Sequence, residues 1–315
     1  MSRVLVTGAA GFVGQALVRR LLDDGIQGRP VRQLVLSDLS LASVRQDPRL
    51  VLEEGSVADR DVLQRLLRHQ PEIIFHLASV PGGAAERDPT LGRAVNLEAT
   101  LNLMEACQAL EQTARLVYAS SIAVYGDTRA SSVNEDVTPS PAITYGAHKL
   151  ACETLLADAS RRGWVDGCSL RLPGIVARRD ESPGLASAFM SQLFWKMAAG
   201  QPITLPVSPD GTCWWMSVKT CVSNLVHMAA MDSGRWSSGR TYQMPVLHRG
   251  IDEVVQALAR CFGPDTAGLI HYEPDPFIDK NFARYPQLST PRAEEIGLRS
   301  DGSADELVRN VFAHS

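Results

Sequence analysis

The strongest constraint on the fold is a short apolar run, Val4-Leu5-Val6, that passes directly into Thr7-Gly8-Ala9-Ala10-Gly11-Phe12-Val13-Gly14. The stretch after Gly14 carries apolar residues at Leu17, Val18, Leu21 and Leu22, a helical spacing. The pattern reads as buried strand, tight turn and helix. A helix N-terminus offers open backbone N–H groups and the positive end of its dipole, so it holds a pyrophosphate. Glycine at 8, 11 and 14 removes the Cβ atoms that would keep backbone and phosphate apart. The spacing is G-x-x-G-x-x-G, and the bland alternative is a tight turn with no ligand.

The same rhythm continues. Apolar runs at 33–36, 49–53, 73–77, 116–119 and 167–172 alternate with helical stretches at 59–69, 96–109 and 145–162. Short buried strands separated by helices imply the α/β class, a doubly wound parallel sheet of the Rossmann type. After Pro173 the rhythm changes, with Pro or Gly at 173, 174, 183, 184, 202, 206, 209 and 211. Helices are expected there at 185–199, 220–231, 251–262 and 304–313. We therefore expect a dinucleotide-binding domain over 1–173 and a smaller, mixed α/β substrate-binding region over 174–315. The second is expected to be discontinuous, with segments returning to the first sheet.

Composition narrows the function classes. Net charge is -4, so no basic surface points to nucleic acid or to an anionic membrane. No apolar run approaches the roughly 18 residues of a membrane span. The first strand is read within a few residues of Met1, so no signal peptide is expected. Six cysteines lack C-x-x-C pairs and metal-type spacing and read as reduced thiols of a cytoplasmic protein. His227 and His248 have no acidic or cysteine partners at ligand spacing, so no metal is expected.

Two further motifs carry chemistry. Asp38 ends the second strand, where a carboxylate accepts hydrogen bonds from adenosine ribose hydroxyls and repels a 2′-phosphate. That favours NAD over NADP; a simple turn residue is the alternative. Tyr145-Gly146-Ala147-His148-Lys149 places Tyr145 and Lys149 four residues apart, on one helical face. An ammonium beside a phenol favours the phenolate, and Lys149 also reaches ribose hydroxyls. Ser121, at the end of a strand, can hydrogen-bond a reacting oxygen. Tyr-x-x-x-Lys is common by chance, but behind this glycine loop it points to proton transfer coupled to hydride transfer with NAD.

These residues resemble the extended short-chain dehydrogenase/reductases, the family of sugar epimerases and dehydratases. The resemblance rests on Thr7 to Gly14, His76-Leu77-Ala78-Ser79, Asn96-Leu97-Glu98-Ala99-Thr100, Ser120 to Gly126 and Tyr145 to Lys149. It implies Ser121, Tyr145 and Lys149 as the catalytic set. It also implies Phe12 and Val13 beside the pyrophosphate, Leu77 and Ala78 on the nicotinamide side, Asn96 supporting the cofactor site and Pro173 bordering the nicotinamide. Ser56-Val57 stands where the family has an Asp and an apolar residue against adenine, so Ser56 is a departure. The family's dimer helices correspond to 96–109 and 145–162. Leu97, Leu101, Met104, Cys152 and Leu155 would then face a second copy, although core packing explains the same spacing.

Thr212 to Thr220 lacks the basic and aromatic residues with which nucleotide-sugar enzymes hold a nucleoside diphosphate. The stretches 160–167, 170–173, 215–217 and 273–276 instead resemble the D-erythronate dehydrogenase subgroup, which oxidises C2 of a four-carbon sugar acid with NAD. That resemblance implies a small hydroxy or sugar acid as substrate. A nucleotide-sugar epimerase or dehydratase, or a dehydrogenase of a bulkier hydroxy acid, remains the alternative. Ser79, Gly82 and Gly83 follow the fourth strand, where ligands bind in open α/β sheets. Gly82 and Gly174 stand where the subgroup has Ser and Thr, which would enlarge the pocket. Arg178 is either the substrate's counter-charge or a solvated loop residue. Trp215 either caps the pocket or packs in the core.

Overall fold

Val4, Leu5 and Val6 are completely buried, as a strand covered on both faces requires. In the computed structural model, which describes residues 2–126, 132–179 and 187–313, they form β1 (Arg3–Thr7) of a seven-stranded sheet. Its other strands are β2 (Gln33–Asp38), β3 (Leu50–Glu54), β4 (Ile73–His76), β5 (Arg115–Ser121), β6 (Asp166–Leu172) and β7 (Thr241–Gln243). Across the sheet the order is β3-β2-β1-β4-β5-β6-β7, and β1 pairs in parallel with both β2 and β4. This is the doubly wound sheet that the alternation predicts. Strand order reverses between β1 and β4, and ligands bind at that switch point, outside the carboxyl ends of the strands.

Among the helices that accompany the sheet are α1 (Phe12–Asp23), α2 (Arg60–Arg68), α3 (Gly82–Arg87), α4 (Ala99–Ala106) and α5 (Thr144–Arg161). One core cluster joins Leu5, Val35 and Ile74 of the sheet to Leu63, Leu66, Leu103, Met104, Cys152 and Leu156 of the helices. The helix expected over 96–109 is broken into a π-helical turn, Ala94–Glu98, then α4, then a 3₁₀ turn, Cys107–Ala109. Arg115 closes the end of the helix Val218–Ala230, its guanidinium donating to the carbonyls of Met228, Ala229 and Met231.

The chain divides into two compact units. The first comprises Met1–Gly126, Thr138–Arg171 and Val222–Gln243; the second comprises Asp127–Val137, Leu172–Cys221 and Met244–Ser315, counting the described residues within these bounds. In the second unit, Thr212–Ser217 pairs with Leu247–Gly250 on one side and Gly174–Val176 on the other. Two short parallel pairs join Ile203–Leu205 to Ile270–Tyr272 and Ser132–Asn134 to Gln287–Ser289. Its core gathers Leu193, Phe194, Met197, Trp215, Leu258 and Leu307. The helix expected at 185–199 runs Ala188–Ala198, and residues 185 and 186 lie outside the described ones.

Candidate active site

The glycine loop is built so that a Cβ would not fit. Gly8 has φ +71, and a Cβ on it would lie 2.7 Å from Ala78 N. A Cβ on Gly14 would lie 2.1 Å from Gly8 O. The loop is tied to β2 by Gly8 N and Ala9 N, which both donate to Ser37 O. No side chain caps the start of α1 at Gly11, so the backbone of the glycine loop and the positive end of the helix fit a dinucleotide pyrophosphate. Phe12 and Val13 form the first turn and are half-buried, while Gly14 is buried.

Asp38, half-buried, reaches back to this loop: Ala10 N donates to its Oδ2 at 2.9 Å, and Leu39 N to its Oδ1 at 2.7 Å. Each carboxylate oxygen accepts more than one hydrogen bond, so the residue shapes the turn and keeps capacity for a ribose hydroxyl. Ser56 is half-buried, and its Oγ accepts from Ala58 N. Val57 is a core residue, packed with Val62 and Leu66. Its side chain supports the floor of the fold rather than offering a face to adenine, which corrects the expectation for Val57.

Beyond β4, Leu77, Ala78 and Ser79 are half-buried. A buried chain of hydrogen bonds fixes them. Ala78 N donates to Thr7 Oγ1, which lies 2.7 Å from His76 Nδ1; His76 Nε2 lies 3.0 Å from Thr100 Oγ1, which donates to Asn96 O. Thr100 has one hydroxyl hydrogen, and Asn96 O takes it. His76 is therefore the Nε2–H tautomer, accepting from Thr7 at Nδ1. Burial, with Lys149 nearby, pushes its imidazolium down to about 3, so His76 is neutral. Asn96 is buried; its amide accepts from Val80 N and donates to Val80 O. Its side chain thus holds the loop after β4. Sequence reasoning passed over Thr7, His76 and Thr100, although a histidine ending a buried strand is a signal.

Tyr145 and Lys149 lie on α5, and Ser121 closes β5. Gly146 brings them together: a Cβ there would lie 2.3 Å from Ala123 O, so α5 docks directly on the turn Ile122–Tyr125 that follows Ser121. Ser121 Oγ accepts from Ala123 N at 3.1 Å. Lys149 is buried, and its Nζ donates to Ala119 O at 2.7 Å. The ammonium stands 4.7 Å from the centre of the Tyr118 ring and 5.5 Å from that of Tyr145. Tyr118 is buried, and burial raises its phenol well above the ordinary range. Tyr145 is half-buried, so of the two phenols beside Lys149 it is the one that solvent and ligand can reach. Gly82 lies against this pair; a Cβ on it would meet Ile143 Cδ1 at 3.2 Å and Tyr145 Cβ at 3.7 Å. Gly83, next to it at the start of α3, is exposed.

The remaining predicted site residues belong to the second unit. Pro173 is buried and Arg178 half-buried. Arg178 is held at its backbone, its N–H donating to Ser191 Oγ and its carbonyl accepting from Trp195 Nε1. Two expectations are corrected. Trp215 is fully buried, its Nε1 donating to Arg249 O and its ring 6.2 Å from Phe194, so it builds the core and does not cap a pocket. Gly174 opens no extra room, because Met190 fills it: a Cβ there would lie 2.7 Å from Met190 Cε and 3.0 Å from Trp214 O. Among the described residues no group of His, Cys, Asp or Glu could hold a metal ion, and no helix is long and apolar enough to cross a membrane.

Comparison with known proteins agrees with this geometry. Residues 4–243 match the NAD dependent epimerase/dehydratase family. The chain is 34% identical over 312 residues to a D-erythronate dehydrogenase of Cupriavidus necator, covering 97% of this chain and 96% of that one. It is 29% identical over 314 residues to a D-erythronate dehydrogenase of Haemophilus influenzae, covering 99% of each. A crystal structure of a nucleoside-diphosphate-sugar epimerase from Agrobacterium tumefaciens superimposes with a TM-score of 0.93 at 30% identity, over 100% of this chain and 94% of that one. The chain belongs to the NAD dependent epimerase/dehydratase family and is an oxidoreductase that works with a nicotinamide cofactor.

Proposed function

We propose that the protein oxidises a secondary hydroxyl of a small sugar acid, C2 of D-erythronate or a close analogue, with NAD, giving the 2-oxo acid. The observation that carries this reading is the grouping of a half-buried Tyr145, a buried Lys149 and the Ser121 turn, brought together by Gly146. The near-full-length similarity to two D-erythronate dehydrogenases supports the substrate class. NAD, when bound, accepts the hydride.

The chain's own residues have three tasks. Gly8, Gly11 and Gly14, with the first turn of α1, bind the pyrophosphate, and Asp38 accepts from the adenosine ribose hydroxyls. Ser121 Oγ hydrogen-bonds the substrate's reacting oxygen and orients it. Tyr145 Oη takes the proton from that oxygen as the hydride leaves carbon. Lys149 stabilises the phenolate with its charge and reaches the ribose hydroxyls. Ser79, Gly82 and Gly83 line the substrate side.

A nucleoside-diphosphate-sugar epimerase is the second reading, favoured by the Agrobacterium structure. Against it, Trp214 and Trp215 are both core residues, in the stretch where a nucleoside diphosphate would need partners. The test is a change in one oxygen atom. Tyr145→Phe should lower turnover by roughly 10²–10⁴-fold while NAD affinity stays within about twofold of the parent value; near-normal turnover would remove Tyr145 as the base. We place the protein in the cytoplasm, because its six cysteines are unbridged and a reducing compartment suits them.

A further inference from the structure

Behind Ser121 lies a buried ion pair to which the reaction assigns no role. Glu153 and Arg171 are 4% and 9% exposed. Arg171 Nε and Nη2 donate to the two carboxylate oxygens of Glu153 at 3.0 and 2.7 Å. Ser120 Oγ donates to the same carboxylate, and Arg171 Nη1 donates to Tyr125 Oη at 3.0 Å. Gln243 Nε2 of β7 donates to Arg171 O. Burial opposes the guanidinium's charge, but the bidentate carboxylate outweighs it and holds Arg171 above its ordinary value.

The placement of these four side chains is specific. Ser120 precedes Ser121 on β5, and Tyr125 ends the turn that Ser121 begins. Glu153 lies one helical turn beyond Lys149, as Lys149 lies one turn beyond Tyr145, so the three share a face of α5. The Glu153 carboxylate, directly through Ser120 and by way of Arg171 through Tyr125, thus ties the helix that carries Tyr145 and Lys149 to both ends of the segment that carries Ser121. A buried ion pair is not stabilising over apolar residues of the same volume, because two charges lose their water. Its retention beneath a catalytic turn calls for a geometric reason.

We propose that Glu153 and Arg171 are positioning residues that set the register of α5 against the Ser121 turn, and so the separation of Ser121 from Tyr145. The inference rests on the reading that Ser121 and Tyr145 perform the reaction. Misplacement of a reacting group by about 1 Å costs up to roughly 10²-fold in rate, so small shifts in this network should appear in turnover.

The test uses the full chain with Ser120→Ala, Tyr125→Phe, Arg171→Lys and Glu153→Gln. The first two remove one hydroxyl each and leave the ion pair, so they keep the test valid even where Glu153→Gln fails to fold. Three readouts apply: NADH formation from D-erythronate, NAD binding by calorimetry, and hydrogen exchange of peptides covering 119–126 and 144–150. Ser120→Ala and Tyr125→Phe should lower kcat roughly three- to tenfold with KM and NAD affinity unchanged. Arg171→Lys keeps the charge but loses the fork, and should lower kcat at least as much, again with NAD affinity unchanged. Exchange should quicken in both peptides in every variant. Parent-like kcat and exchange in Ser120→Ala, Tyr125→Phe and Arg171→Lys would overturn the proposal and leave the pair a structural one. Silence of the parent protein on D-erythronate would instead overturn the substrate reading. In that event the exchange data alone decide: quickening of both peptides upholds the coupling, and unchanged exchange refutes it.

Discussion

Tyr118 and Tyr145 both stand within 6 Å of the Lys149 ammonium, at 4.7 and 5.5 Å from ring centre to nitrogen, yet burial separates their roles. Tyr118 is sealed and its phenol is held neutral, while Tyr145 faces out. Similar reasoning applies to Asp38. It already accepts from Ala10 N and Leu39 N, so Asp38→Ala should loosen the turn as well as remove the ribose acceptor. We expect a shift in the NAD-to-NADP ratio of kcat/KM toward NADP by at least about tenfold, the factor that one charged hydrogen bond of roughly 1.5–3 kcal/mol supports; an unchanged ratio would place cofactor choice elsewhere. His76 yields a pH prediction. Its folded value of about 3 lies below the ordinary 6.5, so between these limits the unfolded chain binds a proton that the native chain does not. The stabilisation is complete above 6.5 and is lost as pH falls toward 3, by at most about 1.4 kcal/mol per pH unit. Urea unfolding of the parent and His76→Gln should show their difference shrinking as pH falls from 6.5; a constant difference would contradict a neutral His76.

At the scale of elements, the glycine loop separates folding from binding. A Cβ at Gly14 meets Gly8 O at 2.1 Å, whereas at Gly11 the nearest atom is Gly8 O at 3.2 Å. Gly14→Ala should therefore unfold the loop and cost several kcal/mol by thermal melting, roughly the upper range for single substitutions. Gly11→Ala should melt near the parent temperature but bind NAD at least about tenfold more weakly; normal binding would argue against phosphate contact at Gly11. The strands of the first half, and the motifs on them, were legible in the sequence because each carries a run of at least three apolar residues, which passes into a polar or turn residue. The π-helical turn Ala94–Glu98 was not, since it serves Asn96 and its bonds to Val80, a tertiary demand with no periodic trace. The small sheets of the second unit were equally hidden. Strands of three to six residues such as Gly174–Val176 and Thr212–Ser217 find partners far away in sequence, and nothing local announces them. Glu153 and Arg171 were visible only as charges on otherwise apolar runs, a signal that identifies burial but not the partner.

At the scale of the molecule, the five residues expected to face a second copy divide. Met104 and Cys152 are core residues, while Leu97, Leu101 and Leu155 are partly buried and pack against that core. We propose a homodimer using the latter three. Sedimentation equilibrium should return twice the chain mass of 34.2 kDa, and Leu101→Glu should halve it; a parent protein of single-chain mass would end the proposal. The wider claim joins a dinucleotide loop, a Ser-Tyr-Lys grouping and a carboxylate-bearing substrate in one net oxidation. It is tested most directly by following NADH absorbance with NAD and a panel of aldonates, uronates and 2-hydroxy acids that includes D-erythronate. The account predicts stoichiometric NADH from a four-carbon sugar acid, and formation slowed by roughly 10²–10⁴-fold from that acid with Tyr145→Phe. Bound NAD with no NADH from any acid of the panel, together with turnover of a nucleotide sugar, would contradict it.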